Sequence, residues 1–218
     1  MKQVDTFFNH PAGNFDDMGA SFSWKIPTNF NLAEAVCGRH KRASKQVALF
    51  CENDQGESAR YTFGDLEKLS NRLANLLISL GLKRGDRLAI LLPQRVETGI
   101  AHLAAWKVGA LSLPLSILFG SEALRYRLED SGARFVITTK EASEALQQLT
   151  PDLPNLKTII NCDDPVSGFW ALIDKASDQF SPIVTQANDP ALVIYTSGTT
   201  GPPKGAVLAH RCLLGNLT

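Results

Sequence analysis

The sequence predicts an α/β fold built on a doubly wound, mostly parallel sheet with helices on both faces. Three observations carry that prediction. From Tyr61 onward, segments with apolar residues at steps of three and four alternate with short, continuously apolar runs. That is the pattern of strand–helix–strand units whose strands are covered on both sides. The helical segments close at glycines and the apolar runs at prolines or polar turns, which punctuates the chain at regular intervals. Finally, 218 residues with 44% hydrophobic composition are enough to bury a core of that size.

Residues 1–30 hold much Asn, Asp, Gly and Phe without a period, and an irregular N-terminal arm is expected there. A helix start at 30–36 opens a domain running over 31–218. Thr62 is placed to cap a helix with apolar residues at Leu66, Leu69, Leu73, Leu76, Leu77 and Leu80, ended by Gly81. Asp65, three residues after the cap, adds a capping-box signal. The run RLAILL over 87–92, closed by Pro93, reads as a strand buried on both faces. A helix over 96–108 leads through Gly109 into the strand LSLPL, and 122–130 forms the next helix before Gly132. The strand RFVITT from Arg134, a helix over 141–149 and the strand KTII from Lys157 complete the repeated units. Residues 161–189, polar and broken by prolines, read as a surface connection with one short helix over 169–176.

Composition excludes several function classes. Lys+Arg and Asp+Glu are equal at 22 each, so no net field draws the chain to nucleic acid or an anionic membrane, and a bound anion must be held by a local site. Residues 99–120 are as long as a membrane-spanning helix requires, but Lys107 near the middle and Pro114 beyond favour a helix followed by a buried strand. The opening MKQVDTFFNH has no apolar core or cleavage site of a signal peptide, which makes the cytoplasm the expected location. Cys37, Cys51, Cys162 and Cys212 match no metal or redox spacing and are expected to be reduced, packed thiols.

The chemistry is concentrated in ALVIYTSGTTGPPKGAVLAH, residues 191–210. A buried strand runs into a loop holding Thr196, Ser197, Thr199, Thr200, three glycines, two prolines and Lys204. Gly198, Gly201 and Gly205 are expected to let the backbone approach a ligand and take positive φ, with their N–H groups turned to phosphate oxygens. The hydroxyls add donors and Lys204 the charge. This is not the GxxxxGK[ST] loop, since Pro203 precedes the lysine and Gly205 follows it. On composition alone the segment reads more readily as an ordinary turn between two strands.

The string YTSGTTGPPKG resembles the phosphate-binding signature of the adenylate-forming superfamily, whose members include acyl-CoA synthetases, firefly luciferase and peptide-synthetase adenylation domains. Two further segments resemble family motifs in the same order: YTFGDL at 61–66 and WKVGALSLPL at 106–115, both with structural roles expected. The resemblance covers residues 61–210. It implies ATP as substrate, Mg²⁺ as its counter-ion and coenzyme A as acceptor. It places Thr196, Ser197, Gly198, Thr199, Thr200, Gly201 and Lys204 around the ATP phosphates, with Lys204 in the catalytic role. His210 and Arg211 are expected to orient the helix that follows rather than to move protons.

The resemblance further implies an AMP-forming acid–thiol ligase that makes acyl-AMP and then acyl-CoA. The segment LSILFGSEALRYRLEDSGARFVIT resembles bacterial acetyl-CoA and short- to medium-chain acyl-CoA synthetases more than peptide-synthetase domains, so a small or medium aliphatic or aryl carboxylic acid is the expected partner. In the family the adenine site, the Mg²⁺-associated acid, most of the acyl pocket and the C-terminal adenylation lysine lie downstream of the phosphate loop. The domain is therefore expected to be incomplete, ending just after the loop at 196–205, and inactive by itself. A homo-oligomer remains open. The competing readings are a non-catalytic phosphate-binding module and an adenylation domain with another acceptor; a dinucleotide-binding domain would need a GxGxxG after its first strand, which is missing.

Overall fold

The computed structural model describes residues 13–53, 55–196 and 201–216. The arm carries one short helix, α1 (Phe15–Ser21), and the domain opens with α2 (Leu32–Val36), whose first turn is capped by the Asn31 side chain accepting from the Ala33 amide. A two-stranded antiparallel ribbon follows, β1 (Val47–Glu52) against β2 (Ser58–Thr62). The sequence analysis did not anticipate it, because these strands show no clean inside–outside alternation and lie outside the main sheet.

β2 runs directly into α3 (Phe63–Ser79) through the capping box expected at Thr62. The Asp65 amide donates to the Thr62 hydroxyl at 3.1 Å and the Thr62 amide to the Asp65 carboxylate at 2.9 Å. The Asp65 carboxylate also accepts from the Thr62 hydroxyl at 2.7 Å, and this bond, with the one from the Thr62 amide, holds the carboxyl below the usual range. β3 (Arg87–Leu91) is followed by α4 (Val96–Val108), which ends with Gly109 at φ 71°, the left-handed geometry that closes a helix at low steric cost only in glycine. β4 (Leu111–Pro114), α5 (Ser121–Ser131), β5 (Phe135–Thr138), α6 (Lys140–Leu149) and β6 (Thr158–Asn161) then alternate as the pattern predicts. α7 (Phe169–Ile173) precedes β7 (Pro190–Thr196) and β8 (Lys204–Ala209). Among the described residues no helix is long and apolar enough to cross a membrane, and residues 99–120 fall into α4, β4 and the turn after them.

The six-stranded sheet has the order β6-β5-β3-β4-β7-β8, parallel throughout except for the β7–β8 pair. The chain starts at its centre with β3, moves to β4 on one side, then crosses back to β5 on the other. Successive strand residues divide between two cores: Leu88, Ile90, Phe135 and Ile137 pack with α3, α4 and α7, whereas Ala89, Leu91, Leu113 and Val136 pack with α5 and α6. Helices thus cover both faces, as the doubly wound class requires. All four cysteines are free thiols, Cys37 and Cys162 buried and the other two half-buried.

Residues 161–189 cross the surface as a connection anchored at intervals: Cys162, Phe169, Ile173, Thr185 and Ala187 are buried, while much of the rest is exposed. α3 holds the stretch after α7 to the domain, with the Asn71 side-chain amide donating to the Asp178 carbonyl and the Asn75 side-chain amide to the carbonyls of Ser177 and Gln179.

Candidate functional site

The phosphate-loop candidate is the tip of the β7–β8 hairpin. Thr196 is the last residue of β7, Lys204 the first of β8, and the two are directly paired across the ladder. Both are exposed. Turn and ligand loop, which compete as readings of the sequence, are here compatible: the segment is a hairpin connection whose two ends bring a hydroxyl and an ammonium side by side. Ser197, Gly198, Thr199 and Thr200 lie outside the described residues. Gly201 has φ 83°, as anticipated for a loop glycine. Gly205 does not share that conformation; it sits opposite Tyr195, and a Cβ at this position would lie 3.2 Å from the tyrosine ring. Its missing side chain makes room for an aromatic ring across the strand pair, and the positive φ expected for it is not adopted.

The hairpin is bound to the sheet through β7. Its register with β4 is parallel, Ser112 opposite Leu192, and the Trp106 indole on α4 donates to the Ala191 carbonyl at 2.9 Å. Because β3, β4 and β7 run the same way, the loop after β7 emerges at the edge where β3 and β4 end. β3 and β4 send their following helices to opposite faces of the sheet, which opens a crevice between their carboxyl ends, the usual ligand position in open α/β sheets. A cavity of about 750 Å³ occupies it, lined among others by Leu92, Thr98, His102, Pro114 and Ile117. A second cavity of about 420 Å³ adjoins it around His102, Trp106 and Leu192. Burial pushes the His102 imidazole down to about 4, and its Nδ1 has no partner among the described residues. At one wall Arg95 bridges Glu97 at 2.8 Å and Asp163 at 2.6 Å, while the Trp170 indole donates to Glu97 at 2.9 Å.

None of these crevice residues was assigned to a site from the sequence, although Pro114 and the segment holding Trp106 were noted there for structural reasons. The available signal was position, since most of them lie at the end of a predicted buried strand, just after it, or on the helix that follows. Nor were Tyr126 and Asp130 on α5, which hold the hairpin, singled out: the Tyr126 hydroxyl donates to the Pro203 carbonyl at 3.1 Å and the Tyr195 hydroxyl to Asp130 at 2.5 Å. Burial and the adjacent carboxylate push the Tyr195 phenol up, so it stays a donor.

His210 and Arg211 follow β8 in a 3₁₀ turn, His210–Asn216. His210 is fully buried, and its Nδ1 accepts from the Leu32 amide at 3.1 Å. It therefore fixes the start of α2 rather than the helix that follows, while Arg211 is exposed. Burial holds the His210 imidazole down to about 4. With the folded value below the unfolded one of about 6.5, the unfolded chain binds the extra proton in between, and stability is lost as pH falls from about 6.5 toward about 4. His102 adds to the same loss. In His210→Asn, whose carbonyl keeps an acceptor near the Leu32 amide, melting temperature should fall less steeply between pH 7 and pH 5 than in the parent; parallel slopes would mean that His210 does not contribute.

Among the described residues no group of three or more His, Cys, Asp or Glu side chains is placed to hold a metal ion. The described ends of the loop carry the Thr196 hydroxyl and the Lys204 ammonium, groups suited to anionic oxygen.

Comparison with known proteins gives the family and the fold. The family model for AMP-binding enzymes matches residues 36–218. The chain is 31% identical over 192 residues to the mitochondrial acyl-coenzyme A synthetase ACSM4 of Rattus norvegicus, covering 83% of this chain and 33% of that protein. It is 31% identical over 222 residues to acetyl-coenzyme A synthetase of Streptomyces coelicolor, covering 92% of this chain and 34% of that protein. The fold matches the crystal structure of an acyl-CoA synthetase from Brucella canis with a TM-score of 0.81 and 28% identity, over 94% of this chain and 39% of that one. The chain spans about a third of the length of the curated relatives it matches.

Proposed function

Because the chain belongs to the family of AMP-binding enzymes, we propose that it is the N-terminal part of an ATP-dependent carboxylate–CoA ligase, with the hairpin tip from Thr196 to Lys204 as its polyphosphate grip. The observation that carries this reading is the direct pairing of Thr196 with Lys204 at the carboxyl edge of a parallel sheet. There the two ends of the loop leave the sheet at the same edge as the crevice between β3 and β4.

In the first half-reaction a carboxylate oxygen of the acid attacks the α-phosphorus of ATP. The bond from that phosphorus to the bridging oxygen breaks, and pyrophosphate leaves with the electron pair. The acid is already ionised, so no general base is required. What the step needs is compensation for charge gathering on the leaving group. Lys204 supplies a fixed positive charge, and the hydroxyls of Thr196, Ser197, Thr199 and Thr200 with the amides of Gly198 and Gly201 supply hydrogen-bond donors. Mg²⁺ brought with the nucleotide would add to that compensation. In the second half-reaction the thiol of coenzyme A attacks the acyl carbon, AMP departs, and the thiol proton passes to solvent.

The substrate is a short- to medium-chain aliphatic or aryl acid, in line with the acetyl-, acyl- and 3-hydroxypropionyl-coenzyme A synthetases among the relatives. The 218-residue chain is expected to be inactive alone. In the full-length protein, labelled pyrophosphate should exchange into ATP when the right acid is present. A screen of aliphatic and aryl acids checks this, and a folded protein that exchanges with none of them would be a phosphate-binding module instead.

A further inference from the structure

We propose that Tyr126 is a positioning residue for the polyphosphate loop, acting from α5 through the Pro203 carbonyl while Asp130 holds the opposite stem of the same hairpin through Tyr195. The role rests on the function proposed above and deepens it.

The geometry is a two-sided grip. Tyr126 and Asp130 are four residues apart on α5 and so share one face of the helix. One reaches the outgoing end of the loop, where the Tyr126 hydroxyl donates to the Pro203 carbonyl at 3.1 Å. The other takes the hydroxyl of Tyr195 on the incoming strand. In the ladder Tyr195 precedes Thr196, and Pro203 precedes Lys204, so the two hydrogen bonds bracket the loop within one residue of its first hydroxyl and its ammonium.

The surroundings show that this contact is built rather than incidental. The rings of Tyr126 and Tyr195 meet edge to face at 6.4 Å. Arg127, 8% exposed, lays its guanidinium 4.0 Å from the Phe119 ring and 5.6 Å from the Tyr195 ring, which holds the second tyrosine in place. Gly205 leaves space for that same ring where any side chain would meet it. Proline at 203 has no N–H to pair with a neighbouring strand, so its carbonyl is the handle by which the loop backbone is held next to Lys204.

A grip of this kind sets where Lys204 and the loop donors stand when ATP binds, and has no part in the step after pyrophosphate has gone. Tyr126→Phe keeps the ring and removes only the hydroxyl. In the full-length protein it should lower kcat/KM for ATP in carboxylate-dependent pyrophosphate exchange by roughly fivefold, the worth of one neutral hydrogen bond. Thioester formation from supplied acyl-adenylate should stay within about twofold, and the melting temperature within about 2 °C. Asp130→Asn should show the same split between half-reactions. Unchanged exchange in both variants overturns the positioning role, as do equal losses in both half-reactions accompanied by a lowered melting temperature. Absence of exchange in the unsubstituted protein is a different result: it overturns the ligase reading, and the role of Tyr126 with it.

Discussion

Alanine in place of Lys204 should slow adenylation by roughly 10- to 100-fold in the full-length protein while leaving its folding intact. The estimate follows from the worth of a hydrogen bond to a charged group, about 1.5–3 kcal/mol, applied to a barrier on which each 1.36 kcal/mol is about tenfold. Lys204 is exposed at the first position of β8 and takes part in none of the ion pairs found among the described residues. Its removal from the folded chain should therefore stay within about 0.5 kcal/mol. The decisive comparison is between half-reactions. Pyrophosphate has left before the thioester step, so a role at the leaving group predicts a large defect in pyrophosphate exchange and little in thioester formation from supplied acyl-adenylate. Equal defects in both, or a fall in melting temperature large enough to explain them, would make Lys204 a structural residue.

How much of this was legible in the sequence depends on the range over which each feature is encoded. α3 and α4 could be placed closely because their ends are local: a threonine and an aspartate three residues apart cap one, and Gly109 closes the other. The two cores follow from strand alternation once the parallel class is recognised. The anchoring of 161–189 was hidden because it draws on Asn71 and Asn75, about 100 residues upstream, whose side-chain amides reach the carbonyls of Ser177, Asp178 and Gln179. At the site the two ends of the loop, Thr196 and Lys204, could be read from the motif, since the chemistry lies in contiguous residues. The grip on the loop could not: Tyr126 and Pro203 are separated by 77 positions and Asp130 and Tyr195 by 65, so nothing in the local pattern links them. Gly205 shows the same limit: a positive φ was expected for it, but it is a strand residue whose missing side chain leaves room for a tyrosine on the neighbouring strand.

Lys107 tests whether the second family-like segment, WKVGALSLPL, is structural as the sequence analysis expects. Its side chain is fully buried, with the ammonium 2.8 Å from a Glu67 carboxylate oxygen and 2.6 Å from the Asn71 side-chain oxygen, so that it fastens α4 to α3. Taking one partner from a buried ion pair leaves the other charge unpaired, at about 3–5 kcal/mol, whereas replacing both with apolar groups of similar volume is often close to neutral. The two partners are not equivalent here. Glu67 keeps 19% of its side chain exposed and can be hydrated when its partner is lost; Lys107, at 0%, cannot. Glu67→Ala should therefore cost about 3–5 kcal/mol, Lys107→Met clearly less, and the Glu67→Leu/Lys107→Met pair should recover most of the loss. Equilibrium urea denaturation of the 218-residue chain and its variants gives these differences directly. A cost below about 1 kcal/mol for Glu67→Ala would show that water reaches the ammonium and that the pair does not fasten the two helices. A double variant no more stable than Glu67→Ala would instead place the loss in packing around Glu67, not in the stranded charge.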